Sequence, residues 1–461
     1  MAGPADGQSD ALCRYIAETP SSALSAKTRH AACRAVLDAT GVMLAASGLS
    51  PDAAPFIDLA KTSGAGPCSI LGSGAKASAP MAAFANGALS HTLDFEDAFD
   101  PAPCHPNAAA VPAAIALAQM LRPINGTEFM TAIAIGCDLV CRMGLSLRQT
   151  MEESGWYPPP ILGAFGAPAA AGRLARLTSD QTRDALSLTL CQATAPGEIK
   201  HSERSVIRAV REAFPAQAAV VSALLARSGV AGFETPIEGE GGFFRLYADN
   251  HYDPAAFRVG LGEHFHIDAL SFKPWPACRG THAYIELALE ARSQPGFDWR
   301  AIQEITLATG SVQRMLIEPL ARKRAPTTAI DAKFSLPFTV SLALVRGGVT
   351  LDDFDGAARA DLDIRQLAAR IIARERPDWG RSQASASGLT IAFRGGRLFE
   401  GELAEALGAP ERPLSSEGLV EKFIACAGRA ARPLEPKAAK RLAGRLLELD
   451  AEPDVGALFE T

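Results

Sequence analysis

The chain has 461 residues, 48% of them apolar, and 45 Lys plus Arg against 51 Asp plus Glu, for a formal net charge of −6. That length can bury a large core and predicts two or three domains. A mildly acidic chain without a basic tail is a poor partner for nucleic acid, so any anion it binds must be held by a local cluster of cations.

Residues 1–10 are polar, carry Asp6 and Asp10, and lack the basic start and apolar run of a signal peptide. Long uncharged stretches such as 154–172 are broken by Pro and Gly, and no membrane span is expected. The expectation is a cytoplasmic protein with neither nucleic acid nor membrane as partner. Up to about residue 265 the sequence reads as helical. Ala32, Val36, Ala39 and Met43 recur at helical spacing, 111–121 is Ala/Leu-rich, and 127–147 carries Phe129, Ile133, Val140, Met143 and Leu147 along one side. Cys137 and Cys141 share a face of that helix as neighbouring core thiols. The nine cysteines show no disulfide framework and no iron–sulfur spacing. Ser179 or Asp180 is placed to cap a helix carrying Leu186 and Leu190, and 215–227 is a further apolar helix.

From about Ile267 the texture changes. Residues 304–309 and 389–393 alternate like strands, and Gly395-Gly396 followed by 397–402 reads as a hairpin. Helical stretches lie at 282–292 and 331–346. Helix returns near the end, with Leu419, Phe423, Leu442, Leu446 and Leu449. The fold class is α+β: a large helical domain, residues 1–266 and 412–461, and a smaller α+β lid domain, 267–411.

Three segments carry chemistry. Residues 90–106, SHTLDFEDAFDPAPCHP, hold His91, Asp94, Glu96, Asp97, Asp100 and His105 between apolar stretches. That density suits acid–base work, a metal or a solvated loop, although the spacing matches no EF-hand. Residues 271–282, SFKPWPACRGTH, stiffen Lys273, Arg279 and His282 with prolines, as a carboxylate clamp or a rigid linker. Residues 198–212, EIKHSERSVIRAVRE, place Arg204, Arg208 and Arg211 at helical spacing, either as an anion-holding wall or as a solvated basic face. Gly72-Ser73-Gly74 lacks the rest of a dinucleotide site. His264 and His266 read as structural residues at a strand entry.

Residues 85–94 (ANGALSHTLD) with Phe95, Asp97 and His105-Pro106, then 162–167 (LGAFGA), 239–248 (GEGGFFRLYA), 271–282 and 331–338 (DAKFSLPF), resemble the MmgE/PrpD family in order and spacing over nearly the whole chain. The family includes 2-methylcitrate dehydratase, cis-aconitate decarboxylase and an iminodisuccinate epimerase. The resemblance implies a helical domain plus a lid, a homodimer, a small polycarboxylate substrate, and no cofactor or metal. It carries catalytic roles onto Asp94, His105 and Lys273. Tyr157 stands where dehydratase and decarboxylase members have His, and Ser202 where they have Lys.

Lys273 and Arg279 are the candidates for stabilising charge beside a carboxylate, and His105 for moving the proton, with Asp94 orienting it. Tyr157, His282 or Asp97 would be the second proton carrier, and His91, Ser202 and Arg204 would complete the substrate contacts. The expected function is a lyase of the 2-methylcitrate dehydratase type. An epimerase of an iminodisuccinate-like dicarboxylate and a non-catalytic carboxylate-binding protein are the alternatives.

Overall fold

Small residues set how closely the helices of this chain approach. The computed structural model describes residues 7–102, 104–202, 204–380 and 383–460; the reading of residues 1–6 as a polar start falls outside them. The described residues fall into two units: those within 7–92, 96–270 and 415–460 in the first, those within 93–95 and 271–414 in the second.

The first unit is built of helices rich in Ala and Gly. A Cβ on Gly166 of the helix Pro158–Leu174 would stand 2.5 Å from the Gly136 carbonyl oxygen of the helix Gly126–Ser146, so these two backbones touch. The helix Pro158–Leu174 opens on three prolines, which fit a first turn because its N–H groups have no intrahelical acceptor. A Cβ on Gly41 of the helix Ala26–Leu49 would lie 3.0 Å from the Phe423 ring of the helix Ser416–Ala427. Lys422 reaches Asp38 at 2.6 Å across the same pair of helices. The cap of the helix Ser179–Leu190 is Thr178, in a capping box with Gln181, and not Ser179 or Asp180 as the sequence suggested. Cys137 and Cys141 are buried, and burial pushes the Cys137 thiol up to about 11 and that of Cys141 well above its ordinary value, so both stay protonated.

Three helical segments, Ala26–Leu49, Gly126–Ser146 and Ile207–Arg227, are long and apolar enough to cross a membrane by length and composition, which corrects the expectation that none would be. Their apolar windows are largely buried within this unit, and that packing accounts for the composition. His266 opens a short 3-10 turn, His266–Ala269, where a strand entry was expected.

In the second unit a four-stranded sheet has the order β4-β3-β5-β6, with β3 Ile302–Thr309, β4 Ile371–Glu375, β5 Ser387–Phe393 and β6 Leu398–Leu403. (The pair β1 Cys68–Ile70 and β2 Ala75–Ala77 belongs to the first unit.) β3 runs parallel to β4 and antiparallel to β5. β5 and β6 form the expected hairpin, whose Gly395 and Gly396 both have positive φ, a left-handed backbone that glycine adopts without steric cost. Ser387, Leu389, Ile391 and Phe393 are buried, giving β5 a core face on every second residue. The stretch 331–346 is two helices, Ala329–Lys333 and Leu336–Arg346, parted because Ser335 caps the second and Pro337 begins it.

Candidate functional site

In the first unit the helix Ala79–His91 delivers His91 at its last position. Gly87, one turn earlier, lets that helix meet the chain at Glu212–Ala213: a Cβ there would stand 2.5 Å from the Glu212 carbonyl oxygen. The close approach places His91 against Arg211. Arg211 Nη1 donates to His91 Nε2 and, at 3.1 Å, to the Arg208 carbonyl, while its Nε donates to Glu212 Oε1 at 3.0 Å.

These contacts fix protons. A guanidinium only donates, so His91 Nε2 holds the lone pair and Nδ1 holds the hydrogen, which goes to Glu96 Oε1. His105 Nδ1 lies 2.8 Å from the Asp97 carbonyl oxygen and 3.2 Å from Glu96 Oε1. A carbonyl only accepts, so His105 Nδ1 carries its hydrogen, and a proton is taken or given at Nε2. Glu96 Oε1 therefore accepts from His91 and lies 3.2 Å from the Nδ1 of His105. The loop holding His105 is closed by Phe99 N–H on the Cys104 carbonyl at 3.2 Å and by Asn107 Nδ2 on Asp97 Oδ2 at 2.9 Å. Asp97 braces the loop through both its carbonyl and its side chain. His91, Glu96, Asp97 and Arg211 are buried, and His105 keeps 16% of its side chain exposed, more than any of these four.

Tyr157 caps the helix Pro158–Leu174 and is buried, with the Arg211 guanidinium 5.0 Å and Lys200 Nζ 5.8 Å from its ring centroid. Ser202 and Arg204 stand apart. Both lie before the helix Ile207–Val210, Arg204 is exposed, and among the described residues no side-chain hydrogen bond or ion pair joins either to this network. The helical spacing read through Arg204 thus begins only after it, and the buried members are Arg208 and Arg211.

In the second unit Lys273 donates to the Asp94 carboxylate and, at 3.1 Å, to the Asp94 carbonyl, with both residues buried. Asp94 has φ +49, a left-handed backbone that few non-glycine residues adopt and that aspartate tolerates. The loop after Lys273 is clasped from several sides. Phe272 N–H donates to Gly408 at 3.0 Å, Lys333 Nζ donates to the Pro276 carbonyl at 3.1 Å, and Arg279 donates to the Leu407 and Ala406 carbonyls at 2.8 and 3.3 Å. Arg279 thus ties this loop to the segment Ala406–Leu407. His282 Nε2 lies 3.0 Å from the Ala277 carbonyl, and its buried Nδ1 has no hydrogen-bond partner among the described residues. Burial, followed by the charges of Arg279 and Lys273, holds this imidazole well below its ordinary pKa, so it is neutral.

His91, Glu96 and His105 bring ligand-type atoms within 4.8 Å of one another, the distance scale of a metal centre. The donor set does not suit one. Both Nδ1 atoms present hydrogens, and the remaining lone pair on His91 faces the Arg211 cation. What the arrangement suits is holding and moving a proton.

Residues 10–254 match the MmgE/PrpD N-terminal domain, and residues 275–446 match the C-terminal domain. The chain belongs to the MmgE/PrpD family. The α+β fold class read from the sequence holds for this MmgE/PrpD chain. It is 24% identical to a cis-aconitate decarboxylase-like protein of Aspergillus oryzae, covering 97% of this chain and 95% of that one. It is 25% identical to the cis-aconitate decarboxylase of Homo sapiens, over 76% and 72% of the two chains, and 23% identical to that of Aspergillus terreus, over 86% and 83%. At the level of the family these relatives bear out lyase chemistry. Glu96 and Arg211 were named from the sequence only as members of their clusters, without a role, and Glu212 was not singled out; a charged pair opening an otherwise apolar helix was the available signal for it.

Proposed function

We propose that this protein is a lyase for a small polycarboxylate, in which His105 Nε2 moves the proton at the carbon beside a carboxylate. The observation that carries this is the fixed tautomer of His105, whose Nδ1 is committed to Asp97 and Glu96. In dehydration Nε2 removes the carbon-bound proton, and the pair of electrons left behind forms the double bond as hydroxide departs and is protonated. In decarboxylation the carbon–carbon bond breaks, its electrons stay on the carbon as carbon dioxide leaves, and Nε2 delivers the proton. Both routes develop negative charge next to a retained carboxylate, and Lys273 is the cation we assign to it. Asp94 neutralises Lys273 in the resting protein and keeps its buried ammonium hydrogen-bonded.

The substrate class is supported by the names of the relatives and by the buried cations, and cis-aconitate and 2-methylcitrate are the first compounds to try. An epimerase is the second reading, favoured by Tyr157, a buried phenol flanked by Arg211 and Lys200 that would return a proton from another direction. The test is proton NMR of the purified chain in deuterated water with a panel of di- and tricarboxylates. Loss of water or carbon dioxide with deuterium exchange at one carbon supports a lyase. Exchange without loss favours the epimerase, and an inert panel overturns both.

A further inference from the structure

We propose that Glu212 is a positioning residue of this site: it fixes the Arg211 guanidinium, which sets the tautomer of His91 and so the N–H that Glu96 accepts beside His105. The assignment rests on the reading of His105 given above only for its effect on turnover.

The side chains form a continuous line, Glu212 to Arg211 to His91 to Glu96 to His105, with hydrogen bonds at the first three links and a 3.2 Å contact between Glu96 Oε1 and His105 Nδ1 at the last. Glu212 is buried, and it uses only Oε1 in that line. Oε2 is buried with no hydrogen-bond partner among the described residues. Space for it exists because residue 163 is glycine, where an added Cβ would stand 3.3 Å from Oε2.

Few charges bear on Glu212. Of the helices packed around Ala213–Arg227, Asn107–Met120 contains no titratable residue, Ala79–His91 offers only His91, and Pro158–Leu174 only Arg173 in its last turn. Ser179–Leu190 carries Asp180, Arg183 and Asp184, which are engaged with one another, with Asp10 and with the Gly232 N–H. Burial therefore dominates and pushes the Glu212 carboxyl up to about 7, with Arg211 pulling it down and Glu96 pushing it up. Near neutrality the line has two states. With Glu212 ionised, the Arg211 charge is balanced. With Glu212 protonated, that charge falls on His91 and Glu96 and makes His105 less basic.

The experiment uses the full chain with 15N-labelled histidine, the His91 and His105 signals being assigned from His91→Gln and His105→Gln variants. Expected in the wild type are a single Nδ1–H tautomer for His91 and a histidine titration with an inflection near pH 7 that Glu212→Gln removes. Glu212→Ala should give a mixed His91 tautomer and roughly tenfold lower kcat with KM little changed. A wild-type His91 with hydrogen on Nε2 would overturn the assignment, as would titration curves identical in wild type and Glu212→Gln. Should Glu212→Ala not fold, the wild type and Glu212→Gln decide the matter alone. A protein inert toward every polycarboxylate would sink the proposed function and leave the tautomer result standing.

Discussion

Replacing Lys273 by alanine should cost both stability and rate, and the two losses can be separated. Lys273 and Asp94 are buried, and the ammonium donates to the Asp94 carboxylate and carbonyl. Alanine removes the cation that donates to this buried carboxylate, and losing one partner of a buried pair costs about 3–5 kcal/mol. Loss of a donor to the developing charge should also lower kcat/KM by at least roughly 10²-fold. In the double variant Asp94→Asn with Lys273→Met both charges vanish and most of the volume stays. Stability should return to within about 1 kcal/mol of wild type, because a neutral buried pair escapes the desolvation of two ions, while kcat/KM should remain low. Lys273→Arg keeps the charge but replaces a compact ammonium with a planar fork, and should not restore the rate. The assays are urea unfolding and steady-state kinetics on the same preparations. A double variant with near wild-type kcat/KM would remove Lys273 from the chemistry.

The remaining expectations concern pH and packing. Glu212 is raised from 4.5 to about 7 in the folded chain, so the folded state holds a proton that the unfolded state has released. The stability this contributes is fully present below 4.5 and is lost as pH rises through 7, by about 3 kcal/mol for a shift of that size; unfolding of Glu212→Gln from pH 4 to 8 should lack that decline. His282 has the opposite sign, since its folded pKa is depressed. Its contribution is present above the unfolded value and lost as pH falls below it, so His282→Phe should keep more of its neutral-pH stability at pH 5 in the same unfolding assay. Gly408 has φ +92, and a Cβ there would stand 2.0 Å from the Phe272 carbonyl oxygen. Gly408→Ala should destabilise by more than about 2 kcal/mol and lower kcat/KM by displacing the Lys273 loop, read by unfolding and kinetics together.

Where one face is buried and the other wet, the sequence was readable. β3, β5 and the Gly395-Gly396 hairpin follow from alternation and turn chemistry. β4 was missed because four of its five residues are exposed and the stretch Ile371–Glu375 does not alternate. The helix read over 331–346 was broken by a serine cap that apolar periodicity does not register. In the site, the charged residues of 91–105 stood out as a group, but which carboxylate joins two histidines depends on a loop folded back through Asp97 and Asn107, and spacing along the chain does not encode that. Arg204, Arg208 and Arg211 look alike in one dimension. Arg211 differs because Gly87 allows the helix Ala79–His91 to touch the chain beside it, a contact between residues more than a hundred positions apart.

Turnover by this protein should pass through a proton exchanged at His105 Nε2, which deuterium incorporation reads directly. Wild type and His105→Gln, shown to be equally folded by circular dichroism, would be incubated with the polycarboxylate that wild type turns over, in deuterated water. Deuterium is expected at the carbon beside the retained carboxylate in the wild-type reaction, with at least roughly 10²-fold slower incorporation and turnover in the variant, the usual contribution of a positioned acid or base. Equal incorporation by both proteins would contradict it.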